Sequence, residues 1–244
     1  MIKFDQVSCS FAEKKTVLSD ISFEVQEGEI LVVLGASGSG KTTILRLILG
    51  LIQPDSGKIF VDGEEISRMP EQDLMNVRKK IGMVFQEGAL FDSQTVGENV
   101  AFPLREQRAM SEEEVDAKVR KILGFVDMSE TIDMMPDELS GGMKRRVAIA
   151  RALAAYDPKI MLYDEPTTGL DPITAHTICE LIVKLRDFQK VCSVMVTHQL
   201  KDAFKVATRF IVLGEGKVIF EGTGDDLKTS KDPYIQRFFQ RSLR

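Results

Sequence analysis

Apolar runs of strand length alternate with polar turns over the first part of the chain. The run 30–34 is apolar at every position, which is typical of a strand buried on both faces of a parallel sheet. The spacing then changes and predicts a helix from Lys41 to about Leu49, closed by Gly50. The predicted strands of this part are 2–4, 21–25, 30–34 and 58–61.

The middle of the chain, from Val96 to Ala155, is rich in charge and has helical spacing. Ser111 is followed three residues later by Glu114, which is the pattern of a capping box. We therefore expect a helix that begins after Ser111 and runs to about Leu123.

Strands and helices alternate again from residue 160 onward. Asp171 followed by Pro172 predicts a helix start, because aspartate caps the first turn and proline fits the first helical position. This helix should extend to about Phe188. The predicted strands are 160–163, 191–196, 210–213 and 217–220. Together these patterns predict an α/β core that is interrupted by a helical insertion.

Composition excludes several classes of function. The 244 residues carry 32 lysines and arginines against 37 acidic residues, and this net charge of −5 argues against a nucleic-acid partner. Cys9, Cys179 and Cys192 are too far apart in sequence for a metal knuckle or a redox pair, so we expect buried thiols in a reducing compartment. No secretory signal and no run of ~20 apolar residues is visible, which predicts a cytoplasmic protein without a membrane span.

A glycine-rich segment joins the apolar run 30–34 to the helix that follows it. Gly35 and Gly40 are separated by four residues and precede Lys41 and Thr42, which is the pattern of a phosphate-binding loop. In such a loop the backbone N–H groups and the helix N-terminus attract phosphate, the lysine reaches the β- and γ-phosphates, and the threonine hydroxyl binds Mg²⁺. The alternative is a glycine-rich turn with a surface lysine, but the flanking strand and helix favour nucleotide binding. The candidate nucleotide-binding residues are Gly35, Ser37, Gly38, Ser39, Gly40, Lys41, Thr42 and Thr43.

Polar side chains follow two other apolar strands. Asp164 and Glu165 come directly after the strand 160–163, and the carboxyl ends of parallel strands open into the ligand crevice. We expect Asp164 to act on Mg²⁺, and Glu165 to polarise the water that attacks the γ-phosphate. A solvated loop is the alternative, which the phosphate-binding loop makes less attractive. His198 ends another strand at the same edge, which favours a γ-phosphate contact over a structural role.

A second glycine motif precedes a helix in the middle of the chain. Ser140, Gly141 and Gly142 open the segment that continues to Arg151. A serine and two glycines at a helix N-terminus can bind an anion, whereas the structural alternative is a plain turn.

The order of these motifs resembles the nucleotide-binding subunit of ABC transporters. The resemblance covers essentially the whole chain and includes Gln86 and the segment 168–171. It implies a P-loop NTPase fold of the α/β class, with an antiparallel β subdomain and an inserted α-helical subdomain. Residues 1–244 would form one ATP-binding domain, with the core at about 1–90 and 159–244 and the helical subdomain at about 91–158.

The same resemblance implies ATP and Mg²⁺ as ligands, with Thr42, Gln86 and Asp164 at the metal. Gln86, Glu165 and His198 would be the catalytic residues. Two copies would pair head to tail, so that Ser140, Gly141 and Gly142 of one copy contact the γ-phosphate held by the other. Asp171 would line the dimer seam and Phe11 would lie against the adenine ring, although Phe11 could equally pack in the core.

A narrower resemblance links the chain to the ATPase of Mce-type lipid transporters. It rests on the segments 85–91, 95–106 and 171–174, and on Met143 in place of the usual glutamine. It implies a separate integral membrane permease that handles phospholipid, an Mce-domain lipid-binding protein and a small regulatory subunit. The chain would then be peripheral on the cytoplasmic face of the inner membrane. Ala89, Leu90 and Phe91 would dock the permease, or alternatively would pack the helical insertion onto the core.

Two other functions remain compatible with the motifs. The first is the ATPase of an importer for another small solute, because the transported molecule never touches this subunit. The second is a non-transport ABC ATPase of the iron–sulfur assembly type. Thr168 in place of serine and Gln199 in place of an acid depart from the common family pattern, and neither change removes a group that hydrolysis needs.

Overall fold

A six-stranded sheet lies at the centre of the protein. The computed structural model describes residues 1–11 and 15–242. The strands of the central sheet are β3 (Ile30–Gly35), β6 (Ile81–Val84), β7 (Ile160–Asp164), β8 (Cys192–Thr197), β9 (Arg209–Gly214) and β10 (Lys217–Gly222). Their order is β10-β9-β3-β8-β7-β6, and all neighbours are parallel except the antiparallel pair β9 and β10. The predicted α/β core is confirmed.

A second, antiparallel sheet covers one side of this core. Its strands are β1 (Ile2–Phe11), β2 (Lys15–Val25), β4 (Ser56–Val61) and β5 (Glu64–Glu65), in the order β2-β1-β4-β5. Strand β1 continues well beyond the predicted segment 2–4. The prediction ended too early because an irregularity between Phe4 and Val7 interrupts the alternation of buried and exposed positions. Gln6 has a positive φ of 51° at this irregularity.

The helices lie on both sides of the central sheet and in the insertion between β6 and β7. Ser111 caps its helix as predicted, and the Asp171 carboxylate accepts hydrogen bonds from the backbone N–H groups of Ile173 and Thr174 (3.0 and 3.1 Å). The helices are α1 (Lys41–Ile48), α2 (Glu71–Arg78), α3 (Val96–Glu106), α4 (Glu112–Phe125), α5 (Gly141–Ala154), α6 (Pro172–Gln189), α7 (Leu200–Val206), α8 (Gly224–Thr229) and α9 (Pro233–Ser242).

Strand β3 shows how the two sides of the sheet are packed. Ile30, Val32 and Leu34 face the apolar cluster that includes the helical insertion. Leu31 and Val33 face the other cluster, together with α1 and the antiparallel sheet. The prediction that this run is buried on both faces is therefore confirmed.

The carboxyl ends of β3, β7 and β8 meet at one edge of the central sheet, because these strands are parallel neighbours. The segments that leave this edge are the glycine-rich loop 36–40, the acidic pair at Asp164 and Glu165, and the turn at His198. No helix in the described residues is long and apolar enough to cross a membrane.

Candidate active site

The glycine-rich loop turns sharply into α1. Gly40 precedes the helix with a φ of 100°, a conformation that L side chains rarely adopt. A Cβ atom on Gly40 would also lie 2.6 Å from the Cδ2 atom of Leu18. This position therefore requires glycine for both its backbone conformation and its close approach to β2.

Lys41, the first residue of α1, is buried beneath the loop. Its Nζ atom donates to the carbonyl oxygens of Gly35 and Ala36 at 2.9 and 3.2 Å. Burial lowers the pKa of Lys41, while the charges of Glu165 and Asp164 oppose this shift. The same Nζ atom lies 3.8 Å from Oε1 of Glu165, so the cation lies between the loop and the acidic pair.

Thr42 and Asp164 come together as the sequence predicts. The Thr42 hydroxyl donates to Oδ1 of Asp164 at 3.3 Å, and burial raises the pKa of the Asp164 carboxyl. Gln86 follows β6 and lines the cavity that Lys41 also lines. A hydroxyl, a carboxylate and an amide are oxygen donors that suit Mg²⁺, which usually keeps several waters and few protein ligands. The described residues include no cluster of three or more His, Cys, Asp or Glu side chains that could hold a metal ion.

Glu165 is held by two hydroxyl groups, one from the loop after β7 and one from the last residue of β8. The hydroxyls of Thr168 and Thr197 donate to its Oε2 atom at 3.0 and 2.9 Å. Its own backbone N–H donates to the carbonyl oxygen of Val196 at 2.9 Å, and its φ is +48°. A non-glycine residue in this region costs free energy, which the surrounding contacts must offset. Thr168 and Thr197 were not predicted as carboxylate partners, because the contacts depend on the loop after β7 and on the register of β7 with β8.

His198 lies beside this carboxylate. Its Nδ1 atom is 2.9 Å from Oε1 of Glu165, and its backbone N–H donates to Oε2 at 3.3 Å. The predicted position at the edge that carries the acidic pair is confirmed, and its ring contacts the carboxylate directly.

A cavity of about 600 Å³ opens at this edge of the sheet. This volume is within the range of small-molecule sites. Among the predicted residues, those that line it are Ser37, Lys41, Gln86, Glu165 and His198.

Helix α9 also lines the cavity, and this helix was not predicted from the sequence. Its start could have been predicted, because Asp232 and Pro233 repeat the helix-start pattern of Asp171 and Pro172. The Asp232 carboxylate accepts a hydrogen bond from the backbone N–H of Tyr234 at 2.7 Å. The unpredicted lining residues are Ala36, Glu215, Tyr234, Arg237 and Phe238.

Other predicted nucleotide-binding residues lie in the loop or at its borders. The hydroxyl of Ser39 is buried and has no hydrogen-bond partner among the described residues. Thr43 is buried on α1, one position beyond Thr42. Phe11 ends β1 with 43% of its surface exposed, and its role at the adenine ring stays a prediction.

The second glycine motif begins α5, as predicted. The Ser140 hydroxyl accepts a hydrogen bond from the backbone N–H of Met143 at 3.3 Å, and Gly141 is exposed. Gly142 is buried against α6, where an added Cβ would lie 2.1 Å from Cγ2 of Thr174. This motif does not line the cavity of its own chain within the described residues.

The strand–loop–helix, the buried lysine and the carboxylates at the sheet edge define a P-loop nucleoside-triphosphate hydrolase. A family model described as "ABC transporter" matches residues 18–168, and the chain belongs to this family. The predicted fold class is confirmed.

Curated relatives include proteins of two named transport systems. The chain is 38% identical over 226 residues to the intermembrane phospholipid transport system ATP-binding protein MlaF of Haemophilus influenzae, covering 93% of this chain and 85% of the relative. It is 40% identical over 227 residues to the methionine import ATP-binding protein MetN of Carboxydothermus hydrogenoformans, covering 93% and 67%.

A solved structure similar to this chain is a dimeric ATP-binding cassette in a post-hydrolysis state, bound to ADP and Pi. The TM-score is 0.82 and the sequence identity is 35%, with 91% of this chain and 98% of that chain covered. Family membership and this likeness identify the protein as an ATP-binding, ATP-hydrolysing subunit of an ABC transporter.

Proposed function

We propose that this protein is the ATPase of a transporter that moves phospholipid between the inner and outer membranes. The similarity to the phospholipid transport protein of Haemophilus influenzae, which extends over 93% of the chain and 85% of that relative, supports the proposal. The segments 85–91, 95–106 and 171–174 add a resemblance to the Mce-type subclass. The phospholipid would be handled by a separate permease, and this chain would supply the energy.

The loop 36–40 and Lys41 would hold the phosphates of ATP. The buried Nζ atom of Lys41 lies within reach of both the loop carbonyls and Glu165, so its charge is directed to the site. Thr42, Asp164 and Gln86 would hold Mg²⁺, which stabilises negative charge on the β- and γ-phosphates when it is bound.

Glu165 would accept the proton of the water that attacks the γ-phosphate. The hydroxyls of Thr168 and Thr197 leave the Oε1 atom of this carboxylate facing His198. His198 would orient Glu165 and contact the γ-phosphate. A carboxylate held by several donors is positioned before the reaction begins, which reduces the cost of orienting it.

Two copies would form a head-to-tail dimer in which each ATP lies between one phosphate-binding loop and the partner's glycine motif. The exposed Gly141 at the start of α5 and the position of this motif outside its own cavity support this arrangement. Ser140 and Gly142 would complete the anion site, and Asp171 would line the seam. The dimeric state of the solved relative is consistent with the proposal.

The permease would dock on an aromatic groove beside the helical insertion. Phe85, Phe91 and Phe102 are exposed there, and the rings of Phe91 and Phe102 lie 4.9 Å apart. The groove has a volume of about 370 Å³. Ala89 is exposed in the same loop. Leu90 is half-buried against the apolar cluster that includes the helical insertion, which supports the packing alternative for this residue.

The rest of the assembly follows from the same proposal. The chain would lie on the cytoplasmic face of the inner membrane, bound to its permease. An Mce-domain protein would carry phospholipid onward, and a small regulatory subunit would bind the helical subdomain, at about residues 91–158.

Import of another small solute is the second candidate function. The 40% identity to the methionine import protein of Carboxydothermus hydrogenoformans favours it as directly as the phospholipid relative favours lipid transport. The ATP chemistry would be the same in both cases, so the partners must distinguish them.

The test is to purify the Glu165→Gln chain from its native membranes with ATP and to identify the proteins and lipids that accompany it. Removal of the general base should trap the ATP-bound dimer on its partners. A permease with an Mce-domain protein and phospholipid is the expected result. A permease with a solute-binding protein and no lipid would favour import, and a complex without any membrane protein would contradict transport. Glu113→Gln, an exposed acid on α4, is the matched control.

A mixing experiment tests the head-to-tail dimer. Lys41→Ala damages the phosphate-binding loop and Ser140→Arg damages the glycine motif, so each variant alone should be inactive. In a mixed dimer, one site combines the intact loop of one chain with the intact motif of the other. Recovery of ATPase activity on mixing is expected, and the absence of any recovery would contradict action across the dimer.

A further inference from the structure

The carboxyl-terminal helix α9 packs firmly beside the proposed nucleotide site. Ile235 is buried, and Phe239 contacts Phe204 with ring centroids 6.1 Å apart. The Tyr234 hydroxyl donates to the carbonyl oxygen of Leu213, at the end of β9, at 3.4 Å. These contacts hold α9 against the sheet edge from which the phosphate-binding loop departs.

The side of α9 that carries Tyr234 also borders the cavity. Residues three and four positions apart lie on the same side of a helix, so Arg237 shares a face with Tyr234. Both residues line the cavity that Lys41, Glu165 and His198 line. The packing of α9 therefore brings a guanidinium group to the cavity that the proposed catalytic residues also line.

Arg237 has hydrogen-bond donors available. It is exposed, and its Nε atom donates to the carbonyl oxygen of Pro233 within its own helix at 3.1 Å. No carboxylate among the residues that the structure describes is ion-paired with it. A guanidinium has five N–H donors in a planar fork, which matches phosphate oxygens in a bidentate manner.

The charges around the cavity explain why a second cation is useful. Glu165 and Glu215 are acidic lining residues, and Lys41 is a cation that already donates to loop carbonyls. A triphosphate adds further negative charge close to both carboxylates. A second cation in the same lining lowers the electrostatic cost of bringing the nucleotide into the cavity.

We propose that Arg237 is a further nucleotide-binding residue that contacts the terminal phosphate of ATP. The assignment to the terminal phosphate follows because Arg237 lines the same cavity as Glu165 and His198, the groups proposed to act there. This inference rests on the proposed nucleotide site. Arg237 would distinguish ATP from ADP, because the diphosphate lacks the group that it binds.

The experiment measures the affinities of the purified chain for Mg²⁺–ADP and for Mg²⁺ with the non-hydrolysable β,γ-imido analogue of ATP, by calorimetry. Arg237→Gln should weaken binding of the analogue by about tenfold, the effect of losing one hydrogen bond to a charged group, and should change ADP binding by less than about threefold. Arg237→Lys keeps the positive charge and loses the planar fork of donors. Its affinity for the analogue should lie between those of the parent and of Arg237→Gln. Lys231→Gln, an exposed cation before α9, should bind both nucleotides like the parent.

Several outcomes would overturn the proposal. The first is that Arg237→Gln binds the analogue like the parent, and the second is that it loses affinity for the analogue and for ADP equally. The third is that Lys231→Gln loses as much affinity for the analogue as Arg237→Gln does. Tighter binding of the analogue would also overturn it, because α9 would then restrict the cavity. Lys41→Ala tests the proposed nucleotide site separately from the role of Arg237. If Lys41→Ala binds both nucleotides like the parent, the proposed site is wrong. If Lys41→Ala loses binding and Arg237→Gln does not, only the role of Arg237 is wrong.

Discussion

The Nδ1 atom of His198 lies 2.9 Å from the Oε1 atom of Glu165, so the ends of two neighbouring strands meet at one carboxylate. The register of β7 and β8 sets this contact, because Asp164 pairs with Val196 immediately before the two turns. The imidazole and the carboxylate therefore form one unit. Altering His198 should change the orientation of Glu165 as well as the γ-phosphate contact.

Replacing His198 by alanine should impair hydrolysis more than nucleotide binding. We expect kcat to fall by about 10²-fold or more, because His198 orients Glu165 and a positioned general base contributes on that order. Nucleotide affinity should change much less, since Lys41 and the loop remain. Steady-state ATPase assays and nucleotide titration check this. His176→Ala, the other histidine, exposed on α6, is the control, and a His198→Ala protein with parental turnover would contradict the assigned role.

Gly142 and Thr174 provide a paired test of helix packing. Gly142→Ala places a Cβ atom 2.1 Å from Cγ2 of Thr174, and such overpacking should lower the free energy of unfolding by about 1–3 kcal/mol. Thr174→Ser removes that methyl group and keeps the hydroxyl. The double variant should therefore recover most of the lost stability in thermal or chemical unfolding. Simple additivity of the two changes would contradict the packing explanation.

Arg151 should hold the loop of the proposed docking groove. Its Nη1 and Nη2 atoms donate to the carbonyl oxygens of Ala89 and Gly88 at 2.8 and 3.0 Å, and its guanidinium lies 5.5 Å from the ring centre of Phe91. Arg151→Ala should speed amide hydrogen exchange in residues 88–94 and lower stability by about 1–3 kcal/mol. Arg120→Ala, which loses an exposed pair with Asp116, is the comparison. Equal exchange in the two variants would contradict this role.

The cysteines should be unreactive in the native protein. Cys9, Cys179 and Cys192 are buried, and burial raises the pKa of the Cys179 and Cys192 thiols to about 12. At pH 8 these two remain protonated, so a thiol reagent such as Ellman's reagent should detect them only after denaturation. Rapid labelling of Cys179 or Cys192 in the folded protein would contradict the prediction.

The same shifts have a consequence for stability at high pH. Above pH 9 the unfolded thiols lose protons that the folded protein keeps up to about pH 12 for Cys179 and Cys192. Proton loss then favours the unfolded state, so these groups should lower the free energy of unfolding as pH rises through this window. Double substitution of Cys179 and Cys192 by alanine should flatten that alkaline slope in chemical unfolding.

Much of the site could be predicted because its signals are local. The glycine spacing around Lys41 reports a backbone conformation that few other residues can adopt, and the apolar run before it reports a buried strand. Asp164, Glu165 and His198 could be assigned to one edge because parallel strands present their carboxyl ends together. The cap at Asp171 depends on neighbouring residues, so it also follows from the sequence.

The fold class, the phosphate-binding loop and the residue types that follow each strand could be predicted from the sequence, because their signals lie in residues close along the chain. The hydrogen bond of Thr197 with Glu165, the contact of Gly142 with Thr174 and the approach of Arg237 to the cavity are visible only in the folded protein. These pairs are distant in sequence or depend on how a whole helix packs. No local periodicity records such a relationship, since strand register and helix packing set it.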